Sequence, residues 1–269
     1  EGGEGEGEGG EWCVFSGNEI GILLADWALQ SFKARGGDVS QAAMLTTTVS
    51  SMMLRAMAEQ EGFTFKATLT GFKWLGNESA RLEAAGKKVL FSYEEAIGFC
   101  VGGVVRDKDG ISAAAVMTEL VGHLRQRGLS LQQRLQQLRE RYGHFHNRNG
   151  YLVIRDPAVS QAIFDDFRNG GAYAIRLGSS KIDHVRDLQG DGFDSEAADF
   201  KPSLPTSAAP MVTLRLRGGA TVTIRASGTE PKVKYYIEAL GDGVDQVWRD
   251  VMRHFYKPEK HGLEIPGLE

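Results

Sequence analysis

Apolar residues at Ile20, Leu23, Leu24, Trp27, Ala28 and Phe32 recur at spacings of three and four, which places them on one face of a helix that Gly36 and Gly37 stop. Asn18 is its expected cap. The period then shortens. Residues 43–49 read as a β-branched strand, 51–60 as a helix ending before Gly62, and 63–69 as an alternating strand. Residues 77–85 read as a short helix, 88–93 as a strand, 112–127 as a helix capped by Ser112, and 130–142 as a further helix. Strand and helix alternate throughout, the pattern of an α/β layered domain with a largely parallel sheet.

The second half has a different order. Strands are expected at 151–154, 211–216, 222–224 and 233–239, a helix at 157–167 with Pro157 at its start, and a closing amphipathic helix at 244–255. That order predicts an α+β domain with helices on one face of an antiparallel sheet. Residues 187–209, rich in Gly, Asp, Ser and Pro, read as a long irregular connection. The polar stretch 144–150 is the expected linker. The chain therefore divides into a Gly/Glu-rich tract and hairpin remnant at 1–15, an α/β domain at 16–146 and an α+β domain at 147–269. No repeat of solenoid or propeller period is present.

Composition changes this picture little. The 269 residues are 42% hydrophobic and 25% charged, ordinary globular material for two domains. Five glutamates at positions 1, 4, 6, 8 and 11 account for the formal charge of −4, so the remainder carries about +1. A nucleic-acid partner held by bulk charge is not expected. No apolar run reaches membrane-spanning length and no signal sequence opens the chain, so neither a membrane nor a secretory route is expected and the cytoplasm is the default location. Cys13 and Cys100 are too few and too far apart for a disulfide framework or a CxxC site, and each reads as a small buried apolar residue. Asp107-Lys108-Asp109-Gly110 starts like a calcium loop but does not continue as one, and no pair of histidines has zinc spacing beside further ligands. No metal site is expected on these residues.

Candidate chemistry concentrates in Arg225-Ala226-Ser227-Gly228-Thr229-Glu230-Pro231-Lys232, the loop between two expected strands. Arg225 offers a planar fork for a phosphate, Ser227 and Thr229 offer hydroxyls, Gly228 lets the backbone approach a ligand, and Lys232 and Lys234 add point charges. A lone Ser-Gly-Thr is equally at home in an ordinary hairpin with solvated charges, but the longer string is far more specific. In the first half, Thr70-Gly71-Phe72-Lys73 and Glu94-Glu95-Ala96 follow expected strands, where an α/β sheet presents ligands. Ionised carboxylates accept hydrogen bonds from sugar hydroxyls. From the residues alone, Glu94 and Glu95 also fit a solvated loop pair, and Lys73 a surface charge.

These segments resemble the α-D-phosphohexomutase superfamily. Arg225-x-Ser-Gly-Thr-Glu-Pro-Lys232 is similar to the phosphate-binding loop of its last domain. Lys234-Tyr235-Tyr236, the segment 11–21 containing Ser16-Gly17-Asn18-Glu19-Ile20-Gly21, the segment 68–77 and the segment 91–99 resemble its phosphoglucomutase-2 or phosphopentomutase-like branch, in the family's order. The resemblance covers residues 11–257. It implies phosphate binding by Arg225, Ser227, Gly228, Thr229, Lys232 and Lys234, and sugar binding by Thr70, Gly71, Phe72, Lys73, Glu94, Glu95 and Ala96. The family often carries Glu-x-Ser where this chain has Glu94-Glu95-Ala96, so one hydroxyl contact to a hexose is missing and the phosphopentomutase-like branch, which shares Glu-Glu-Ala-Ile-Gly, is the better match.

The resemblance also implies a mutase that interconverts a sugar 1-phosphate with a 5- or 6-phosphate through a sugar bisphosphate, with Mg2+ as cofactor and a phosphoserine as the transferring group. Neither a Ser-His-Asn-Pro nucleophile loop nor an Asp-x-Asp-x-Asp-Arg metal loop occurs in the sequence. With no initiator Met, the chain is expected to start inside a larger protein and to supply its third and fourth domains, the sugar-recognition and phosphate-clamp half, inactive alone. The alternative is a phosphosugar-binding or interaction module that never catalyses.

Overall fold

The computed structural model describes residues 12–228 and 230–268. The expected tract at 1–10 and the candidate ligand Thr229 lie outside the described residues.

The first helix, α1 (Gly17–Ala34), starts with a reciprocal cap. The Glu19 amide donates to Ser16 Oγ at 3.3 Å and the Ser16 amide donates to Glu19 Oε2 at 2.7 Å. Ser16, not Asn18, is therefore the cap. Asn18 is buried in the first turn, where its side chain serves tertiary contacts instead. β1 (Ala42–Thr47), α2 (Met53–Glu61), β2 (Thr64–Thr68), α3 (Phe72–Ala84), β3 (Lys88–Glu94), β4 (Gly98–Val101), α4 (Gly110–Gln126) and α5 (Leu131–Tyr142) follow. The sheet order is β2-β1-β3-β4, parallel except for β4, which returns from β3 through a tight turn.

β1 is buried on both faces, as a central parallel strand must be. Ala42 and Met44 pack into the larger core with α1, α2, α4 and α5, while Ala43 and Leu45 face Phe72, Leu75 and Leu82 of α3. α3 starts five residues before its expected position, because Phe72 and Leu75 are core residues and Gly76 packs inside the helix against the Arg106 carbonyl. α4 likewise starts at Gly110 under an Asp109 cap rather than at Ser112.

The second sheet is antiparallel with order β5-β11-β10-β9-β7-β6. Its strands are β5 (Phe145–Val153), β6 (Arg176–Leu177), β7 (Ser180–Asp187), β8 (Phe193–Asp194), which pairs with β7, β9 (Met211–Leu216), β10 (Thr221–Ala226) and β11 (Lys232–Leu240). The helices α6 (Pro157–Arg168) and α7 (Val244–Asp250), the latter continued by π-helical turns at Val251–Tyr256, cover one face, and α8 (Pro258–His261) follows. Val212, Leu214, Val222, Ile224, Val233 and Ile237 meet those helices in a core that includes the Phe164, Phe167 and Phe255 rings.

The expected linker at 144–150 is not one. It is the first two-thirds of β5, paired with β11 from Phe145↔Leu240 to Val153↔Lys232. Polar composition misled the expectation, because an edge strand has no need of an apolar face. The irregular connection at 187–209 is shorter than expected. β7 runs into it, β8 lies within it, and Phe193 stacks between Tyr173 and Phe200. Cys13 is exposed and Cys100 buried, so the expectation of burial holds for one of the two. No described helix is long and apolar enough to cross a membrane.

One close approach fixes where α1 begins. A Cβ added to Gly17 would lie 2.0 Å from the Glu95 carbonyl oxygen, a backbone atom that cannot swing away. Gly17→Ala is therefore expected to cost roughly 1–3 kcal/mol in overpacking, read as a lower urea midpoint with unchanged slope. A variant as stable as the parent would show that α1 does not bear on the β3–β4 turn.

Candidate functional site

The carboxyl ends of β1, β2 and β3 turn toward the uncovered face of the second sheet. Side chains alternate across a strand, so with Val222 and Ile224 in the core, Thr221, Thr223 and Arg225 of β10 point the other way. The register sets Glu238, Tyr236 and Lys234 of β11 opposite those three. Thr213 extends the row, its hydroxyl 3.0 Å from that of Thr223. This polar face meets the first domain.

Arg225 is half-buried, and its Nη1 donates to Thr70 Oγ1 at 2.5 Å. Two segments 155 positions apart in sequence, each proposed from sequence as a ligand contact, thus touch. Gly71 has φ of +108°, a conformation that suits glycine, and its amide donates to Glu94 Oε1 at 2.5 Å. Thr70, Gly71, Glu94 and Arg225 therefore form one connected group.

The other sequence-derived candidates are distributed unevenly. Phe72 is 4% exposed and belongs to the core beneath α3. Lys73 projects from the first turn of α3, its Nζ 5.5 Å from the Trp74 ring centroid. Ala96 is exposed at the tip of the β3–β4 turn. Ser227 Oγ accepts from the Glu230 amide at 3.2 Å, and the Ser227 amide donates to the Lys232 carbonyl at 2.8 Å, which closes the cradle loop on itself. Gly228 is exposed with no atom within 4 Å of an added Cβ and without a positive φ, so the fold itself does not demand glycine there. Lys232 is 2.8 Å from Glu230 and 4.5 Å from the Tyr151 ring centroid; the ion pair raises its pKa and lowers that of Glu230. Lys234 stands across the ladder from Arg225. A cleft of about 410 Å3 opens along the loop, lined by Arg155, Ser160, Ser227, Gly228 and Lys232 among others.

Glu95 differs from Glu94. Its Oε2 accepts from Ser50 Oγ at 3.0 Å and Thr47 Oγ1 at 3.3 Å, and its amide donates to Ser50 Oγ at 3.1 Å. Burial raises its pKa, and the Glu94 charge adds to the rise against the pull of the hydroxyls. Tyr236 is pushed up to about 12 by burial and by the charge of Glu95, with Arg225 opposing.

Several residues here were not expected from sequence as ligand contacts. Asn18 Oδ1 accepts from the Ser51 amide at 2.9 Å, while its Nδ2 donates to Asn147 Oδ1 at 2.9 Å on β5. Glu238 Oε1 accepts from the Met52 amide at 2.9 Å, and burial raises its carboxyl pKa. Val49 packs with Leu188 and Met211 between the domains. The run Thr46-Thr47-Thr48-Val49-Ser50-Ser51 at a strand end was the available signal, a concentration of hydroxyls unusual for a buried turn. Among the described residues no three His, Cys, Asp or Glu side chains converge as a cation cage requires.

Residues 16–142 match the family model of the phosphoglucomutase/phosphomannomutase alpha/beta/alpha domain III, and this part of the chain belongs to that family. The α-D-phosphohexomutase resemblance read from the motifs is thereby borne out. Over 96% of its length the chain is 40% identical to the phosphopentomutase of Homo sapiens, and over 95% it is 38% identical to the glucose 1,6-bisphosphate synthase of Homo sapiens. It spans 45% and 44% of those proteins respectively, less than half of each. The open form of the exocytosis-sensitive phosphoprotein pp63/parafusin, a phosphoglucomutase from Paramecium, superposes with a TM-score of 0.65 at 16% identity, covering 95% of this chain and 44% of that one. At that identity the likeness supports the two-domain fold alone.

The raised Glu95 pKa has a definite sign in stability. Its contribution is complete below the ordinary value of 4.5 and is lost as pH rises through the raised folded value. Glu95→Gln keeps an oxygen for Ser50 and removes the charge. The variant is therefore expected to lose less stability than the parent as pH rises above 4.5, in a series of urea midpoints. Parallel profiles would contradict the burial of an ionisable group there.

Proposed function

We propose that this chain supplies the sugar-recognition and phosphate-clamp half of a phosphosugar mutase, one that interconverts a pentose or hexose 1-phosphate with the corresponding 5- or 6-phosphate through a sugar bisphosphate. The observation that carries the reading is the contact of Arg225 with Thr70, because it joins the phosphate loop of one domain to the strand-end loop of the other. A guanidinium that now donates to a neutral hydroxyl exchanges it for a phosphate dianion with a gain in charge-assisted bonding. Gly228 supports the same reading: it leaves open space where the fold needs no glycine, so a phosphate can come close to the loop backbone.

In this reading Arg225, Ser227, Thr229 and the Gly228 backbone bind the phosphate remote from the reacting end, with Lys232 and Lys234 adding positive field. Glu94 orients the sugar, since Gly71 fixes one of its oxygens and the carboxylate retains lone pairs for hydroxyls. Glu95 holds the Thr47–Ser50 turn and acts on the sugar only through that turn. Lys73 stands at the first turn of α3, beside the Thr70 end of the group, for a second phosphate. Phe72 shapes the site from below. Ala96 brings no hydroxyl, which favours pentose phosphates by removing a contact that rewards a hexose ring. Magnesium supplies charge neutralisation during phosphoryl transfer when bound, and together with the nucleophile it is assigned to the part of the complete protein outside these residues. What these residues do is bind and orient both ends of a doubly phosphorylated sugar, which positions it without transferring anything.

The test is calorimetry of ribose 5-phosphate with this chain and with Arg225→Ala. Loss of the charged fork is expected to weaken binding by about 1.5–3 kcal/mol, roughly 10- to 150-fold. A coupled assay of ribose 1-phosphate isomerisation by this chain alone is expected to show no turnover. Unchanged affinity in the variant would remove the cradle assignment, and magnesium-dependent turnover would overturn the division of labour.

A further inference from the structure

At the far end of α1 from the candidate site, α1, α4 and α5 enclose a groove of about 610 Å3. α1 starts against Glu95 and is 18 residues long, so its last turn lies about 27 Å away at 1.5 Å per residue. The groove therefore belongs neither to the phosphate loop nor to the sugar loops.

Its floor is aromatic and its rim cationic. The Trp27 and His123 rings lie 4.7 Å apart between centroids, tilted by 48°, and Trp27 Nε1 donates to Glu119 Oε2 at 3.1 Å, which fixes the indole. Leu120 and Leu124 are buried beneath. Four arginines line the groove: Arg35, Arg127, Arg134 and Arg141. Two of them are spent on acids. Arg134 holds the buried Asp26 through bonds of 2.9 and 2.8 Å, and Arg141 pairs with Glu61. Arg35 and Arg127 are exposed and have no acidic partner among the described residues.

Each of these two arginines follows a helix end, Arg35 after α1 and Arg127 after α4, where a cation is favoured by the helix dipole. The dipole accounts for a basic residue at each end. It does not account for both lining one groove that also holds a fixed indole. Paired guanidinium forks suit a phosphate, and an aromatic floor of this kind suits the flat face of a base. The volume falls within the range of sites for molecules of that size.

We infer that this groove binds a nucleotide, with its phosphate on Arg35 and Arg127 and its base against Trp27 and His123. The site is independent of the phosphosugar site and of the function proposed for it. Ser31, on the same wall, adds a hydroxyl within the groove, and Gln30 an amide already directed at Asp26.

Adenosine monophosphate is the probe, with inorganic phosphate and ribose 5-phosphate as controls, read by intrinsic tryptophan fluorescence and by calorimetry on the full chain. Adenosine monophosphate is expected to give a saturable change in fluorescence that Trp27→Phe abolishes while the calorimetric binding persists. Arg35→Ala and Arg127→Ala are each expected to weaken that binding roughly tenfold or more, as loss of a charge-assisted contact does. Both positions are exposed, and an unchanged urea midpoint confirms that the variants fold. Arg225→Ala is expected to leave it unaltered. The inference is overturned if adenosine monophosphate gives no saturable signal, if inorganic phosphate binds as tightly, or if Arg225→Ala abolishes the binding while Arg35→Ala and Arg127→Ala retain it.

Discussion

A β-strand has only two faces, and in β10 the helix-covered core claims one of them. Val222 and Ile224 are 0% exposed, which leaves Thr221, Thr223 and Arg225 no direction but toward the first domain. The ladder with β11 then sets which side chains accompany them. A slip of β10 by one residue would turn Arg225 into the core and expose Val222 and Ile224, and the same slip of β11 would turn Tyr236 and Glu238 inward and expose Val233 and Ile237, at a cost no local contact offsets. The burial of a few aliphatic side chains thus fixes the position of the guanidinium on which the proposed phosphate binding depends.

The junction between the domains combines polar contacts with one small apolar group. Asn18 meets Asn147, Met52 meets Glu238, Arg225 meets Thr70, and a small apolar group gathers around Val49 and Met211. Thr48 Oγ1 is buried there without a hydrogen-bond partner among the described residues, and burial penalises the charge of Glu238. Such an unpaired atom costs about 1–3 kcal/mol in lost solvation. A junction of this kind opens at lower cost than an apolar one, since water recovers what burial withholds. That property suits the proposed clamp, which must admit and release its ligand.

The core-facing helices and strands were legible in the sequence because their apolar spacing is regular: α1, β1, β3, α5 and β9 each stand near their expected positions. The failures have separate physical causes. The first two-thirds of β5 was hidden because an edge strand with a polar outer face looks like a linker until β11 pairs with it, while its end was expected as the strand at 151–154. α3 begins five residues before its expected start, and Gly76 inside it is the residue that lets the helix pass the Arg106 carbonyl. The proposed phosphate loop and the strand-end loops were legible as motifs, but not the difference between Glu94 and Glu95. That difference depends on Ser50 and Thr47, some 45 positions away, and no local pattern reports it.

The central claim is that one ligand engages both domains, with Arg225 and the Thr70–Glu94 group at its two sides. Hydrogen exchange of backbone amides with and without ribose 1,5-bisphosphate tests it most directly. The account predicts that saturating ligand slows exchange together at residues 70–74, at the start of α3, and at residues 227–232 in the phosphate loop. Protection confined to one of these segments, with the other unchanged at saturation, would contradict it.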